Sequence, residues 1–378
     1  MKKINRREFL KSAGRTLSAA GIGIGLSSAL SKCPNSPIVK DFFDISYETD
    51  GEARTLRADV FYPVSTDKLP MIAFSSGYCG SPKLYDDMLY TFANAGYLVV
   101  APNHNDPANL LTENSANQQI ENLRGFFSDI GAIVETMQGI EGYENIDFSF
   151  LQNVLLEQCL GGEIENPGVV GIFHDFFKYR TDELSETINY VLNPDNPGFY
   201  DKINPDKIAL AGHSLGGFPC IEKLLENDNR FSSALLLSPV SALSDVSAIN
   251  SPTMWVTGTL DSENIRSSVK DSFFLARSPS SFVDFRGVGH LTFCAAAAGF
   301  IQTEYFFNLF RTLFISKGMF TEEQYAACID YRRKCDAIYD AGICFLDSRI
   351  KGIGSQDDFL ARHEDIVNEY LVNEIQQN

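Results

Sequence analysis

The sequence predicts an α/β fold built on a mostly parallel central sheet with helices on both faces. Three observations predict it. Short runs such as MIAF, YLVVA, KIALAG, ALLL and TMWV are apolar almost throughout, the pattern of strands buried on both sides. Helix-like stretches separate several of them, among them YDDMLYTFANA before YLVVA and a segment from about Leu215 to Asn227 after IALA. That alternation builds parallel sheets through crossover connections. Finally, 44% of the 378 residues are hydrophobic and 21% charged, which supplies a large core and carries no compositional sign of disorder.

Along the chain, Met1 to Lys11 reads MKKINRREFLK, with Arg6 and Arg7 adjacent, and residues 16–31 carry no charge. That apolar segment falls short of the ~20 residues of a membrane span. Residues 1–31 therefore resemble a twin-arginine export signal, with Ala29 and Ser31 suited to cleavage before Lys32. The expected partner of the precursor is the twin-arginine export machinery, and the expected location is periplasmic or extracellular. Cys33 raises a lipoprotein reading, but Lys32 stands where such signals place a small residue, so no lipid anchor is expected.

Residues 40–320 read as one catalytic domain. FFDISYE, TLRADVFYP and MIAFSS are strand-like, and AGYLVVAPNH, KIALAGH, SALLLSPV, PTMWVTGTLD and SSFVDFRGVGH follow. The pattern breaks between residues 105 and 178 into aromatic-rich helical pieces such as GFFSDIGAIVETM and GIFHDFFKY. This is expected to be a cap or lid insertion, since most connections are only ~4 to 6 residues. Residues 321–378 read as a helical C-terminal appendage. With eight cysteines in an exported chain, at most two disulfides are expected, first of all in this tail with Cys328, Cys335 and Cys344. Cys220 and Cys294 read as small core residues.

The formal charge is −18, and removal of a basic leader makes the remainder more negative still. No nucleic-acid partner is expected, because a phosphate backbone would be repelled. An anionic membrane surface is a poor electrostatic partner, which leaves peripheral lipid contact to apolar docking by the insertion.

Gly212-His213-Ser214-Leu215-Gly216 lies where the apolar strand IALA meets a helix. A G-x-S-x-G turn in that context is a nucleophile elbow: the glycines let strand and helix approach while the serine stands out of the turn. Such a serine needs a base and an acid, which follow it in the chain. Of the five histidines, His213 sits inside the elbow, His363 in the tail and His174 in the insertion, while His104 precedes the serine. His290 remains, in the loop after FVDFRGVG. For the acid, Asp261 closes TMWVTGTLD at a carboxyl end of the sheet, where sites in open α/β folds form. Asp284, mid-strand, is the rival and reads more simply as a salt-bridge partner. Leu215, following the nucleophile, supplies one oxyanion N–H, and the turn FSSGYCG aims that of Tyr78 as the second.

IAFSSGY, AGYLVVAPNH, YRTDELSETINYVL, IALAGHSLGG, VTGTLD and GVGH occur in the order seen in α/β-hydrolases similar to the platelet-activating-factor acetylhydrolases and related bacterial esterases and polyester hydrolases. The resemblance covers about Phe42 to Phe310 without most of the insertion. The branch is marked chiefly by Arg180 and Asp182. It implies the α/β-hydrolase fold, a Ser214–Asp261–His290 triad, and Tyr78 and Leu215 as oxyanion donors. One departure is Ser76, where the branch often carries histidine before the glycine of the oxyanion loop.

The expected function is a serine carboxylic-ester hydrolase, an esterase or lipase acting through an acyl-enzyme on Ser214, with acetylated phospholipid-like esters among the substrates. A peptidase or amidase of the same fold, or a non-catalytic binding protein, are the alternatives. No metal or cofactor is expected, because Cys and His show no ligand spacing. In the insertion, Phe126, Phe127, Ile172, Phe173, Phe176 and Phe177 form either an acyl pocket, with Phe173 and Phe177 foremost, or the cap's own small core.

Overall fold

β1 (Ile38–Thr49) and β2 (Glu52–Pro63) open the chain and pair antiparallel along their full length. Phe43, Ile45 and Tyr47 of β1 are buried while their neighbours face out, the period of two that a strand with one wet face requires. The next strands behave differently. β3 (Leu69–Ser75), β4 (Leu98–Asn103), β5 (Ile203–His213), β6 (Phe231–Leu237), β7 (Thr253–Gly258) and β8 (Ser280–Phe285) are buried along most or all of their length. They run parallel in the order β4-β3-β5-β6-β7-β8. Their apolar runs are thus covered on both faces, at about 1.5–3 kcal/mol for each fully buried large side chain. The computed structural model describes residues 37–49, 52–78, 80–106, 167–294 and 332–373; the expected export signal and residues 107–166 of the expected insertion lie outside them.

Two helices frame the early strands. α1 (Asp86–Asn94) carries Asp86 and Asp87 in its first turn, where carboxylates complement the helix dipole, and buries Met88, Leu89, Phe92 and Ala93. Gly96, with φ of 91°, then turns the chain into β4. α2 (Pro167–Leu192) is one continuous helix of 26 residues, so the end of the expected insertion at residue 178 falls inside a helix. Its buried stripe runs Arg180, Glu183, Leu184, Thr187, Ile188 and Val191, the three- and four-residue spacing of one helix face. No helix among the described residues is long and apolar enough to cross a membrane.

α3 (Gly217–Leu225) and α4 (Glu263–Leu275) cover the later strands. The tail holds the expected helices, α5 (Arg332–Leu346) and α6 (Gln356–His363), but it also ends in β9 (Val367–Asn373), which pairs antiparallel with β8 as the ninth strand. Residues 332–373 are therefore part of the sheet and its cover. Gly342 of α5 sits where a Cβ would lie 2.7 Å from Leu235, so the helix lies tight on β6. The strand escaped the sequence reading because VNEYLVN is only half-buried at the sheet edge and lacks an apolar run.

Among the described residues Cys220, Cys335 and Cys344 form no disulfide. Cys335 and Cys344 lie nine residues apart on α5, ~13 Å along the axis, too far for a bridge. The Cys335 thiol instead donates to the Thr292 carbonyl at 3.2 Å. Cys328 lies outside the described residues.

Candidate active site

The elbow is built by steric necessity. Ser214 follows the last residue of β5 in the left-handed region, φ of 54°, a strained setting for a residue with a side chain, at a cost of about 1–3 kcal/mol. A Cβ on Gly212 would lie 2.2 Å from the Gly216 carbonyl oxygen, and one on Gly216 would lie 2.1 Å from that of Ser75. Only glycines let the turn close upon itself and upon β3. The Ser214 carbonyl accepts the Val240 N–H at 2.9 Å, which ties the turn to the end of β6.

Asp261 and His290 reach this turn from neighbouring strands. The loop before His290 lies against the end of β7: the Leu260 N–H donates to the Val288 carbonyl at 2.9 Å, and Gly258 leaves no room for a Cβ beside Val288. His290 Nε2 lies 2.8 Å from Ser214 Oγ, and His290 Nδ1 lies 3.2 Å from Asp261 Oδ2. With the carboxylate beside Nδ1, that nitrogen carries the proton and Nε2 is left to accept the serine hydroxyl. Asp261 is held in turn by the Ser238 hydroxyl at 2.7 Å and the Ser262 N–H at 3.1 Å. Ser238, itself at φ of 40°, is a supporting residue the sequence reading missed. The rival Asp284 is engaged elsewhere, accepting from Arg266 and Asn368 at 2.9 Å each.

The His213 side chain is buried against Tyr85 and His290. Its Nδ1 is 2.7 Å from the Tyr85 hydroxyl, and its ring centroid is 4.7 Å from that of His290. Burial, with His290 alongside, holds its pKa well below the ordinary histidine value. It therefore stays neutral beside a histidine that must become a cation in any proton transfer from Ser214.

The turn carrying Tyr78 is fixed from several sides. The Ser76 hydroxyl donates to the Gly80 carbonyl at 2.5 Å and the Gly77 N–H to the Tyr85 hydroxyl at 2.9 Å. Ser76, standing where histidine is often found in the resembled family, thus ties the loop internally. A Cβ on Gly77 would lie 3.3 Å from that of Ser214, so this turn flanks the serine, and Leu215 follows it directly in the chain. Phe177 is buried edge-on against Tyr78, with centroids 5.5 Å apart. The side chains of Phe126, Phe127, Ile172, Phe173 and Phe176 lie outside the description.

Beneath the turn is a polar network that sequence reading did not assemble. Ser75 Oγ is 2.8 Å from His104 Nε2, and His104 Nδ1 is 2.7 Å from Glu183 Oε2. Burial disfavours charge on both: it lowers the His104 pKa, and it opposes ionisation of Glu183. Hydrogen bonds from His104, Tyr47 and Asn105 outweigh it for Glu183 and hold that carboxyl below its ordinary value. Arg180 pairs with Asp106, Nε to Oδ1 at 3.1 Å, both fully buried. One signal was present: Arg180 and Glu183, three apart on a helix, share a face.

The sequence profile of the family described as platelet-activating factor acetylhydrolase, isoform II, matches residues 46–136. The chain is similar to that family. This is the resemblance the motifs carry, and the α/β fold agrees with it. The matched stretch of the acetylhydrolase profile includes the Ser76–Tyr78 turn, His104 and Asp106, and ends before Ser214. A Schizosaccharomyces pombe protein named "Putative phospholipase A2" is 22% identical over 191 residues, which is 46% of this chain and 40% of that protein. The chain thus spans less than half the length of this curated relative.

Proposed function

We propose that the protein is a serine carboxylic-ester hydrolase acting on lipid esters of the acetylated-phospholipid kind. The observation that carries this reading is the 2.8 Å contact between Ser214 Oγ, raised on a left-handed elbow, and His290 Nε2, whose other nitrogen faces Asp261. The ester and lipid part rests on the acetylhydrolase profile and the phospholipase relative. His290 takes the Ser214 proton as Oγ attacks the acyl carbonyl carbon, and the Asp261 carboxylate stabilises the imidazolium. The oxygen that becomes negative is held by the N–H groups of Tyr78 and Leu215. Collapse breaks the ester bond, and the leaving alcohol takes the proton from His290. Water, deprotonated by His290, then attacks the acyl-enzyme, releasing the acid and restoring Ser214.

A fluorophosphonate should label wild-type protein and fail on Ser214→Ala. Esters from acetyl to palmitoyl, an acetylated phospholipid and an aminoacyl amide, tested side by side, should be cleaved with preference for esters. Absence of labelling would make the chain a binding protein, and preference for the amide would make it a peptidase. The same proposal places the mature protein outside the cytoplasm, on the strength of Arg6, Arg7 and the uncharged segment after them. Replacing both arginines by lysine should trap the precursor inside the cell, and normal export would sink that part.

A further inference from the structure

Arg180 does more than neutralise Asp106. Its Nη2 lies 2.9 Å from the Ser76 carbonyl oxygen and 3.2 Å from that of Gly77, and it also reaches Asp106 Oδ2 at 3.2 Å. Burial works against charge on this guanidinium, but the Asp106 carboxylate, with Tyr179, offsets that and holds its pKa above the ordinary value. Asp106 also accepts from the Tyr179 hydroxyl at 2.7 Å. A permanent cation is thereby fixed behind two successive peptide carbonyls. In a planar trans peptide the C=O and the following N–H point in opposite directions. Holding the Gly77 carbonyl toward Arg180, where the Gly80 N–H also donates to it at 3.0 Å, turns the Tyr78 N–H to the opposite side. Holding the Ser76 carbonyl there likewise turns the Gly77 N–H onto Tyr85. Each carbonyl so polarised makes its own amide a stronger donor.

We infer that Arg180, anchored by Asp106, is a positioning residue that fixes the orientation of the Tyr78 peptide for an oxyanion; this rests on the Ser214 reading above. A cation serves better than a neutral donor because it holds two carbonyls and polarises both amides at once. Arginine serves better than lysine because its planar guanidinium lets Nη2 reach the Asp106 carboxylate and both loop carbonyls at once while Nε stays within ion-pair distance of Asp106.

The test uses Arg180→Lys and Asp106→Asn in the full chain, with active sites counted by fluorophosphonate. On a short ester, kcat per active site should fall about 10²–10³-fold for Arg180→Lys, the scale of one lost oxyanion donor, and less for Asp106→Asn. KM should stay within about twofold, as for an interaction made only in the transition state. A trifluoromethyl ketone, which adds to serine as a hemiketal oxyanion, should lose affinity in parallel with kcat. The corresponding methyl ketone should not. Fewer active sites with unchanged kcat and ketone affinity in those that remain would overturn the inference and leave Arg180 a merely structural residue, as would failure of both variants to fold. If wild type is neither labelled nor inhibited, the Ser214 reading falls and takes this one with it. If wild type responds and both variants match it, this inference alone falls.

Discussion

Among the described residues, two serine–histidine–carboxylate chains share one pattern of contacts. Ser214, His290 and Asp261 are linked by contacts of 2.8 and 3.2 Å, Ser75, His104 and Glu183 by 2.8 and 2.7 Å. What separates them is backbone and access. Ser75 ends a strand in the interior and is wholly buried, while Ser214 is lifted on a left-handed turn and keeps 6% of its surface. Glu183 is saturated with donors that hold it ionised in place, and the trio spends its hydrogen bonds on fixing β3 to α2. A hydrogen-bonded trio is thus a way of satisfying buried polar groups as readily as a way of activating a hydroxyl. The elbow and its flanking amides make the difference.

The largest effect that could break this comparison is on turnover. Ser214→Ala and His290→Ala should each lower ester hydrolysis by ~10⁴ to 10⁶ with little change in melting temperature. Ser75→Ala should leave turnover per folded molecule near wild type and cost about 1–3 kcal/mol of stability, because the buried His104 Nε2 loses its contact with the Ser75 hydroxyl. Comparable activity losses from Ser75→Ala and Ser214→Ala would mean the two chains are not separate in role.

A smaller effect sharpens the choice of acid. Asp261→Asn should lower kcat by about 10⁴, less than loss of the serine. Asp284→Asn should leave kcat unchanged while loosening the contacts to Arg266 and Asn368, measured as a lower denaturation midpoint. The opposite pattern would move the acid to Asp284.

The smallest effect is on pH. His104 and His213 both have folded pKa values below the ordinary 6.5. Between those values and 6.5 the unfolded chain binds protons that the folded one does not, so stability falls as pH falls through that window. Each histidine contributes up to about 1.4 kcal/mol per pH unit. Glu183, depressed in the fold, adds a loss below the ordinary carboxylate range. Urea midpoints from pH 5 to 8 should decline on the acid side, and His104→Asn should flatten part of that slope; a level profile would show that the buried imidazoles take up protons without penalty.

Much of this was legible in the sequence, for identifiable reasons. Strands apolar on both faces announce a parallel sheet, and G-H-S-L-G between a strand and a helix announces the elbow. Chain order left His290 as the base and both Asp261 and Asp284 as acids; the strand-end position of Asp261 favoured it, and Asp261 Oδ2 lies 3.2 Å from His290 Nδ1. Residues contributed by strand ends and helix faces far apart in sequence were not legible. Ser238 helps hold Asp261 only because β6 and β7 are neighbours. The grouping of Tyr85, Asp106 and Glu183 behind the turn that carries Tyr78 depends on how α2 lies against β3 and β4. β9 is half-exposed and lacks an apolar run, and its identity comes from β8 beside it.

The segment that ends in that strand closes the fold over long stretches of chain. The chain's two ends supply opposite margins of one sheet, and the tail is stitched back to the beginning: Tyr97 donates to Asp347, 250 residues away, and Lys351 to the Ala95 carbonyl, 256 away. Closures of that span come late in folding, since non-local pairing is slow to nucleate. A chain lacking β9 would leave the β8 margin bare, an open template for association with its neighbours. The seven residues of β9 are thus a guard on the sheet's edge as well as its last strand.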